Sequence, residues 1–333
     1  MDVHVITHDG VRDASVDELP ALLRRRPGGE AGTIVWVDVP GWDDEAARVL
    51  ADVFALHPLA VQDCAVHNRL PKVHAYPDSL FLVLHAPELG SQGRVHHVEL
   101  DRVVGPNYLV TVHGPYDDEV SEDAALRDTR EVLERLRSGR LRPRTPFDVS
   151  HAIVSTMTRR MERFIETLAA QVAVLERRVT TGQHDESEDF LDQLFRTRHG
   201  LLAVTTIAAQ TAQIYRRVER LSSQHIPAES RHLVGDLVDQ YDRLAGLAAE
   251  EKEYLQGVIE YYRTRTDTKM TIAAERLAVI AVVTLPITAL ASVFGMNFIV
   301  NQHTRVVELS VSLAIMVAMS LALVAWAKRQ GWW

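Results

Sequence analysis

Cysteine is nearly absent from this chain: Cys64 is the only one. No internal disulfide can form, which fits a reducing compartment. The opening residues, MDVHVITHDG, have neither a basic stretch nor an apolar core. No cleaved leader is expected, and residues 1 to about 270 are expected to stay on the side where they are made. A glycine-rich phosphate loop, a Walker motif and a nucleophile elbow are all missing, so the expectation is a non-enzyme without an organic cofactor. Excess positive charge is also lacking. A net charge of −9 argues against a nucleic-acid partner and is compatible with a cation-handling surface, without establishing one. Fifteen histidines are present, yet His96 and His97 are adjacent in a strand-like stretch and point to opposite faces. A lone cysteine makes no Cys-x-x-Cys pair, so most of these histidines read as surface or packing residues.

Charge disappears altogether in two places. Leu277–Phe294 is eighteen residues without a charge, and Leu309–Ala327 is nineteen more. A helix crossing about 30 Å of hydrocarbon needs about 20 apolar residues, so both segments can span a bilayer as a helical hairpin. The alternative is a pair of buried core helices. Arg263, Arg265, Lys269 and Arg276 precede the first run and Lys328 and Arg329 follow the second, whereas the linker carries only Arg305. Basic flanks favour the cytoplasmic side, so both termini are expected in the cytoplasm of a multi-pass inner-membrane protein. Trp326, Trp332 and Trp333 suit anchors at headgroup level.

The remaining sequence divides in two. Val3–Thr7, Thr33–Val39, Leu80–His85, Val95–Val104 and Tyr108–His113 predict strands, being short, β-branched and bounded by turn residues. Asp17–Arg26, Asp43–Phe54 (with Ala47, Leu50, Ala51 and Phe54 on one face) and Glu122–Arg137 predict helices. That mixture indicates an α/β or α+β domain over 1–145. From Phe147 onward no strand pattern appears, and helices are predicted over about 149–181 and 187–222, an antiparallel hairpin within 146–226. The acidic run His184–Asp189 at its tip reads as a solvated, helix-starting face or as a cation collector. After Pro227 the helical pattern runs without a strong breaker from Ala228 into the first span, about 65 residues or about 100 Å. A helix that long needs lateral partners, so a stalk over 227–276 leading into a first span over 277–297 points to a homo-oligomer with a central bundle. A linker over 298–308, a second span over 309–327 and a tail over 328–333 complete the division.

The first span holds the chemistry. Thr284, Thr288 and Ser292 recur every four residues as a hydroxyl stripe, which either lines a path or bonds back to its own helix. Pro286 frees a backbone carbonyl within the span. Gly295 and Asn297 are expected to interrupt the helix at its outer end, where non-helical backbone is tolerated only against protein or water. A ring of Asn carboxamides there offers neutral oxygen dipoles to a hydrated Mg²⁺, an ion that gives up its water shell reluctantly.

Gly295-Met296-Asn297, preceded by Leu285-Pro286-Ile287-Thr288, resembles the signature of the CorA Mg²⁺ transporters. His57-Pro58-Leu59-Ala60-Val61-Gln62-Asp63, Arg69-Leu70-Pro71-Lys72-Val73 and Phe81-Leu82-Val83-Leu84-His85 resemble a second family block, and Trp36-Val37-Asp38 and Leu109-Val110-Thr111-Val112-His113 fit as well. The resemblance implies a pentameric funnel: an α/β/α cytoplasmic domain, a stalk continuing into the pore helix, and an outer second span. It implies that Asn297, with Gly295 and Met296, forms the selectivity ring, with Thr288 a second polar ring below. Leu285, Leu277 and Ala281 would be hydrophobic constrictions. Glu260, roughly 55 Å from Asn297 along a helix, would be a carboxylate ring or an exposed stalk residue. Family members are held to close when internal Mg²⁺ bridges neighbouring protomers; Asp236 and Asp239, one turn apart, are candidates, with solvated helix charges as the alternative. Two departures stand out. The usual Met-Pro-Glu-Leu after the motif is replaced by a longer stretch containing Arg305, in which Glu308-Leu309 stands for Glu-Leu, and Gln62 replaces an acid. Mg²⁺ influx is therefore the expected activity, with Zn²⁺, Co²⁺ or Ni²⁺ transport of the ZntB type, or a non-conducting sensor or scaffold, as alternatives.

Overall fold

The computed structural model describes residues 1–24, 33–90, 94–114, 121–181, 188–298 and 306–329. The tip from Gly182 to the middle of the acidic run, the linker at 299–305 with Arg305, and Trp332 and Trp333 lie outside the described residues. The chain divides into two compact units, Met1–Gln256 and Gly257–Trp333.

The first unit is built on a seven-stranded sheet in the order β2-β1-β3-β7-β6-β5-β4. Its strands are β1 (Asp2–Thr7), β2 (Gly10–Ala14), β3 (Ile34–Val39), β4 (Lys72–Tyr76), β5 (Ser79–Leu89), β6 (Val95–Val104) and β7 (Tyr108–His113). The central β3 and β7 run parallel and every residue in both is buried. Strands covered on two faces read as continuous apolar runs, which is why sequence alone located them. The two edge strands were not foreseen. GVRDA and KVHAY are mostly polar or exposed, as a solvated edge permits. They are held by two-residue turns to β1 and β5, pairing Thr7 with Gly10 and Tyr76 with Ser79.

One face of the sheet packs on α1 (Leu19–Leu23), α2 (Asp44–Arg48) and α3 (Pro58–Ala65), through Val35, Val37, Val83 and Val110 against Leu19, Leu50, Phe54 and Ala60. The other carries α4 (Glu122–Arg137), α5 (Pro146–Thr181), α6 (Glu188–His225) and the beginning of α7 (His232–Phe298), through Trp36, Leu82, Leu84 and Leu109. This is the α/β/α arrangement that the resemblance implied. Helix α4 matches its predicted bounds because its ends are encoded locally. Ser121 accepts from the Ala124 N–H, acids fill the first turn, and Arg135 and Arg137 fill the last. The predicted helix at Asp43–Phe54 departs from expectation: after Arg48 it widens into a π turn over Val49–Val53, where Phe54 N–H donates to Val49 O. The wider turn leaves Ala51 in solvent and adds Val49 to the core beside Leu50 and Phe54, which were expected there. Helices α5 and α6 run antiparallel: Arg178 Nη1 donates to Gln193 Oε1, and farther along Thr197 Oγ1 donates to Gln171 Oε1. The long helix begins at His232, after a single 3-10 turn over Ala228–Ser230, four residues later than the pattern suggested.

Buried polar groups tie the layers together. Trp36 Nε1 donates to Thr111 Oγ1, and Asp38 Oδ1 accepts from the Thr111 hydroxyl and from His113 Nε2 at 2.9 Å. Burial works to raise the Asp38 carboxyl, but His113 and the hydroxyl outweigh it and the pKa is lowered. On the far side of β7, His85 of β5 lies opposite Glu99 of β6 and donates from Nε2 to the Asn68 carbonyl at 2.6 Å. Burial pushes its pKa from 6.5 down to about 4. The Asn68 carbonyl opposes that shift, while His97 and His67 add to it. The unfolded chain therefore takes up a proton near pH 6.5 that the folded chain refuses until about pH 4. Stability should fall by on the order of 3 kcal/mol across that window as pH drops. In thermal unfolding scans from pH 7 to pH 4, His85→Gln, which keeps an N–H for the Asn68 carbonyl, should flatten the slope. An unchanged slope would assign it to other groups.

The second unit contains the rest of α7 and α8 (Val306–Arg329). Both helices have stretches long and apolar enough to cross a membrane, with mean hydropathy 1.8 and 2.1, and those stretches are only 0% and 11% buried within the chain. The core-helix alternative is thereby set aside, because a core helix is covered by its own fold.

Candidate functional site

The candidate residues of the first span fall on one side of α7. Leu277, Ala281, Thr284, Leu285, Thr288 and Ser292 are all exposed, Leu277 and Leu285 at 67% each. At 3.6 residues per turn they form two adjacent rows, 277-281-285 and 284-288-292. A different set, Val279, Val283, Pro286, Ile287 and Leu290, is half-buried and lies on roughly the opposite side of the helix. On α8 the covered positions are Ser312, Met316, Met319, Ser320, Leu323 and Ala327, again at helical spacing. A groove lined by Val279, Val283, Val324 and Ala327 among others places the two helices side by side. The packing of α8 thus occupies one face of α7 and leaves the hydroxyl and aliphatic rows uncovered. Thr284 is at the margin, since it also borders the groove.

The hydroxyl stripe does bond back to its helix: Thr284 Oγ1 donates to Ile280 O and Thr288 Oγ1 to Thr284 O, both at 2.8 Å. The two readings of the stripe are therefore not exclusive. Thr284 and Thr288 each spend their hydrogen inside the helix, which leaves their oxygen lone pairs able to accept. Pro286 lies inside α7 and has no N–H to give the Val282 carbonyl, which leaves a further acceptor in the same stretch. Such a face offers acceptors without a formal charge.

The backbone corrects one expectation here. Gly295, Met296 and Asn297 do not interrupt the helix; they lie in its final turn, which ends at Phe298. Their side chains are outside the described residues, as is that of Glu308. That residue falls in the first turn of α8 rather than in a linker, because α8 starts at Val306. Glu260 is exposed on α7. Farther back, in the first unit, Asp236 and Asp239 are both exposed and one turn apart. Asp236 already has partners in the chain: its Oδ2 accepts from His151 Nε2 and Gln240 Nε2, each at 2.7 Å. Sequence reasoning missed His151, which lies 85 positions from Asp236 and left no signal. Among the described residues no group of three or more His, Cys, Asp or Glu is placed to hold a metal within one chain.

The distant sequence blocks prove to be scaffold. His57 caps α3, its Nδ1 accepting from Leu59 N–H, with Pro58 in the first turn. Asp63 pairs with Lys72 Nζ at 2.6 Å, and Phe81–His85 is the middle of β5. Gln62 is exposed, so the missing acid leaves the core untouched.

Over residues 31–329 the chain matches the family described as CorA-like Mg²⁺ transporter protein. It is 23% identical over 303 residues to the putative metal ion transporter YfjQ of Bacillus subtilis, with 89% of each chain covered. It is 21% identical over 315 residues to the cobalt/magnesium transport protein CorA of Thermotoga maritima, covering 92% of this chain and 85% of that one. The complete CorA magnesium transporter from Methanocaldococcus jannaschii has the same fold, with a TM-score of 0.80 at 14% identity, over 100% of this chain and 99% of that one.

Proposed function

We propose a mechanism from one premise: the chain belongs to the CorA-like Mg²⁺ transporter family, whose members are membrane-embedded ion transporters and not enzymes. In this reading several copies, five by the family resemblance, arrange their α7 helices around a shared axis with the face opposite α8 turned inward. Asn297 rings the mouth and meets the ion through its water shell. The oxygen lone pairs of Thr288 take over below, and Leu285, Ala281 and Leu277 form a narrow apolar section that conducts only when wetted. Glu260 supplies carboxylates at the far end. The membrane potential drives a divalent cation inward by about 4.6 kcal/mol per 100 mV, so no nucleotide is required.

The observation that supports this most is the sidedness of α7. The exposed rows contain acceptors and aliphatics but no charge from Leu277 to Ser292, and they lead to the Gly-Met-Asn turn. The test is ion uptake by the purified protein in liposomes loaded with Mg²⁺- or Zn²⁺-sensitive dye. Mg²⁺ influx supports the reading. Zn²⁺ influx alone would move the protein to a zinc-transporting role, and no flux of either ion would favour a sensor or scaffold.

Regulation by internal Mg²⁺ is assigned to Asp236 and Asp239, as oxygen ligands facing a neighbouring copy. An ion bound at Asp236 competes with His151 for the same carboxylate oxygen. The double variant Asp236→Ala, Asp239→Ala should keep conducting at internal Mg²⁺ concentrations that close the wild type. If inhibition is unchanged in liposome flux at graded internal Mg²⁺, these residues are not the sensor.

A further inference from the structure

The groove between α7 and α8 meets the proposed pore face only at Thr284 and has a chemistry of its own. It has a volume of about 380 Å³ and is lined by Arg276, Val279, Ile280, Val283 and Thr284 on α7 and by Val324 and Ala327 on α8. The lining holds one cation and no carboxylate. The Thr284 hydroxyl is occupied by the Ile280 carbonyl, so the walls present almost only hydrocarbon. Arg276 immediately precedes the charge-free run of the first span, and Lys328 immediately follows that of the second. Lys328 lies one turn beyond Val324 on α8, on the same side of the helix. Both basic side chains are exposed. They stand at the same end of the hairpin, where hydrocarbon gives way to headgroups.

We propose that this groove is a binding site for one anionic phospholipid, whose phosphate is held by Arg276 and Lys328 and whose acyl chain lies along Val279, Ile280, Val283, Val324 and Ala327. Arg276 to Thr284 spans about 12 Å of helix, a depth that begins at headgroup level and continues into hydrocarbon. A guanidinium pairs bidentately with phosphate oxygens, and the ammonium adds a second charge from the facing helix. A basic pocket between membrane helices favours an anionic headgroup over a zwitterionic one. Charge complementarity at the mouth and hydrocarbon below select a lipid over a free phosphate, which leaves the walls bare, and over a neighbouring helix, which leaves the cations unanswered.

The test is native mass spectrometry of the full-length protein in detergent, with phosphatidylglycerol, phosphatidylcholine or glycerol phosphate added separately. Phosphatidylglycerol should be retained at up to one molecule per chain, phosphatidylcholine more weakly, and glycerol phosphate hardly at all. The Arg276→Gln, Lys328→Gln double variant should weaken phosphatidylglycerol retention by on the order of 10- to 30-fold, at about 1 kcal/mol per basic residue. Val324→Phe, which fills the groove, should displace the lipid while leaving the oligomer mass unchanged. Equal retention of the two lipids, or retention unaffected by either variant, overturns the proposal. Binding of glycerol phosphate as strong as that of phosphatidylglycerol reduces the site to a phosphate site and also overturns it. Loss of oligomer mass in Val324→Phe, with lipid retention unchanged, would make the groove an interface between copies instead.

Discussion

Asn297→Ala is expected to reduce Mg²⁺ uptake into protein-containing liposomes to the level of protein-free ones, with the oligomer intact by size-exclusion chromatography. The α7 helix continues through Gly295 and Met296 to Phe298, so the exchange removes a carboxamide from an existing turn and leaves the backbone in a residue type that favours helix. What is lost is the neutral oxygen that, in the proposed pore, meets the hydration shell. Asn297→Asp should fail differently: a ring of carboxylates binds the ion more strongly and releases it more slowly, because conduction needs a site weak enough to leave. Flux should then saturate at lower external Mg²⁺ with a smaller maximum. Thr288→Val keeps the shape of the second row but removes its acceptor, and a partial loss of flux is expected. Wild-type flux in Asn297→Ala would remove Gly-Met-Asn from the path altogether.

The largest effect on stability is expected at Asp128. This carboxylate of α4 and Arg160 of α5 meet at 2.8 Å, each side chain 6% exposed. Arg160 also donates from Nη1 to the Ala124 carbonyl at 2.9 Å. Burial pushes the Asp128 carboxyl above the ordinary value even though Arg160 and Arg127 pull it down. The pair is thus desolvated enough that Arg160 relies chiefly on Asp128, with Glu88 Oε2 a looser second partner at 3.4 Å. Asp128→Ala takes the nearer carboxylate from a buried guanidinium and leaves it only the looser contact to Glu88, which costs about 3–5 kcal/mol. For a unit of this size that corresponds to a fall in Tm on the order of 6–20 °C in thermal unfolding of the full-length protein. Replacing both residues, as Asp128→Leu with Arg160→Met, should recover most of the loss, because well-packed apolar side chains often equal a buried ion pair. If the double variant is no better than Asp128→Ala, the damage comes from packing and not from an orphaned charge.

Uncovered apolar surface separates the two halves of the chain physically. In the first unit most large apolar residues are buried, Leu50, Leu84, Leu109 and Val154 fully so, and those left exposed, such as Leu59 and Phe195, lie far apart in the sequence. In the second, Leu277, Leu285 and Leu321 remain at least 65% exposed. A soluble protein rarely leaves contiguous apolar area of that kind uncovered. A bilayer covers the outside of such a hairpin, and in the proposed pore neighbouring copies would cover the remaining face. Because the family is membrane-embedded, the first of these follows directly, and the second is what the flux measurements test.

The features legible in sequence were those set by short-range rules. Two charge-free runs of spanning length need no context, since the cost of charge in hydrocarbon applies residue by residue. Tyr108–His113 and Glu122–Arg137 were bounded correctly because continuous apolar runs and caps are local, and Val95–Val104 because valines mark both of its ends. The edge strands Gly10–Ala14 and Lys72–Tyr76 were not, because an edge strand has a solvated side and little pattern of its own. The π turn at Val49–Val53 escaped for a related reason: its composition resembles an ordinary helix, and only packing on Phe54 and Leu50 selects the wider turn. Sequence also expected Gly295 and Asn297 to break a helix that in fact continues through them. Glycine's penalty of about 1 kcal/mol is too small to end a helix of 67 residues.

By itself, then, the sequence determined that there are two charge-free runs of spanning length, which residues flank them, and which hydroxyls share a stripe. Those follow from hydropathy and from the 3.6-residue period, which are properties of one segment at a time. The tertiary structure decided which side of α7 is taken by α8 and which is left for the candidate pore rows. It also decided that Asp236 is held by His151, and that Asp128 and Arg160 meet in a dry interior. Each of those depends on bringing together residues 32 to 85 positions apart, and no local rule carries that information; only the packing of whole elements does.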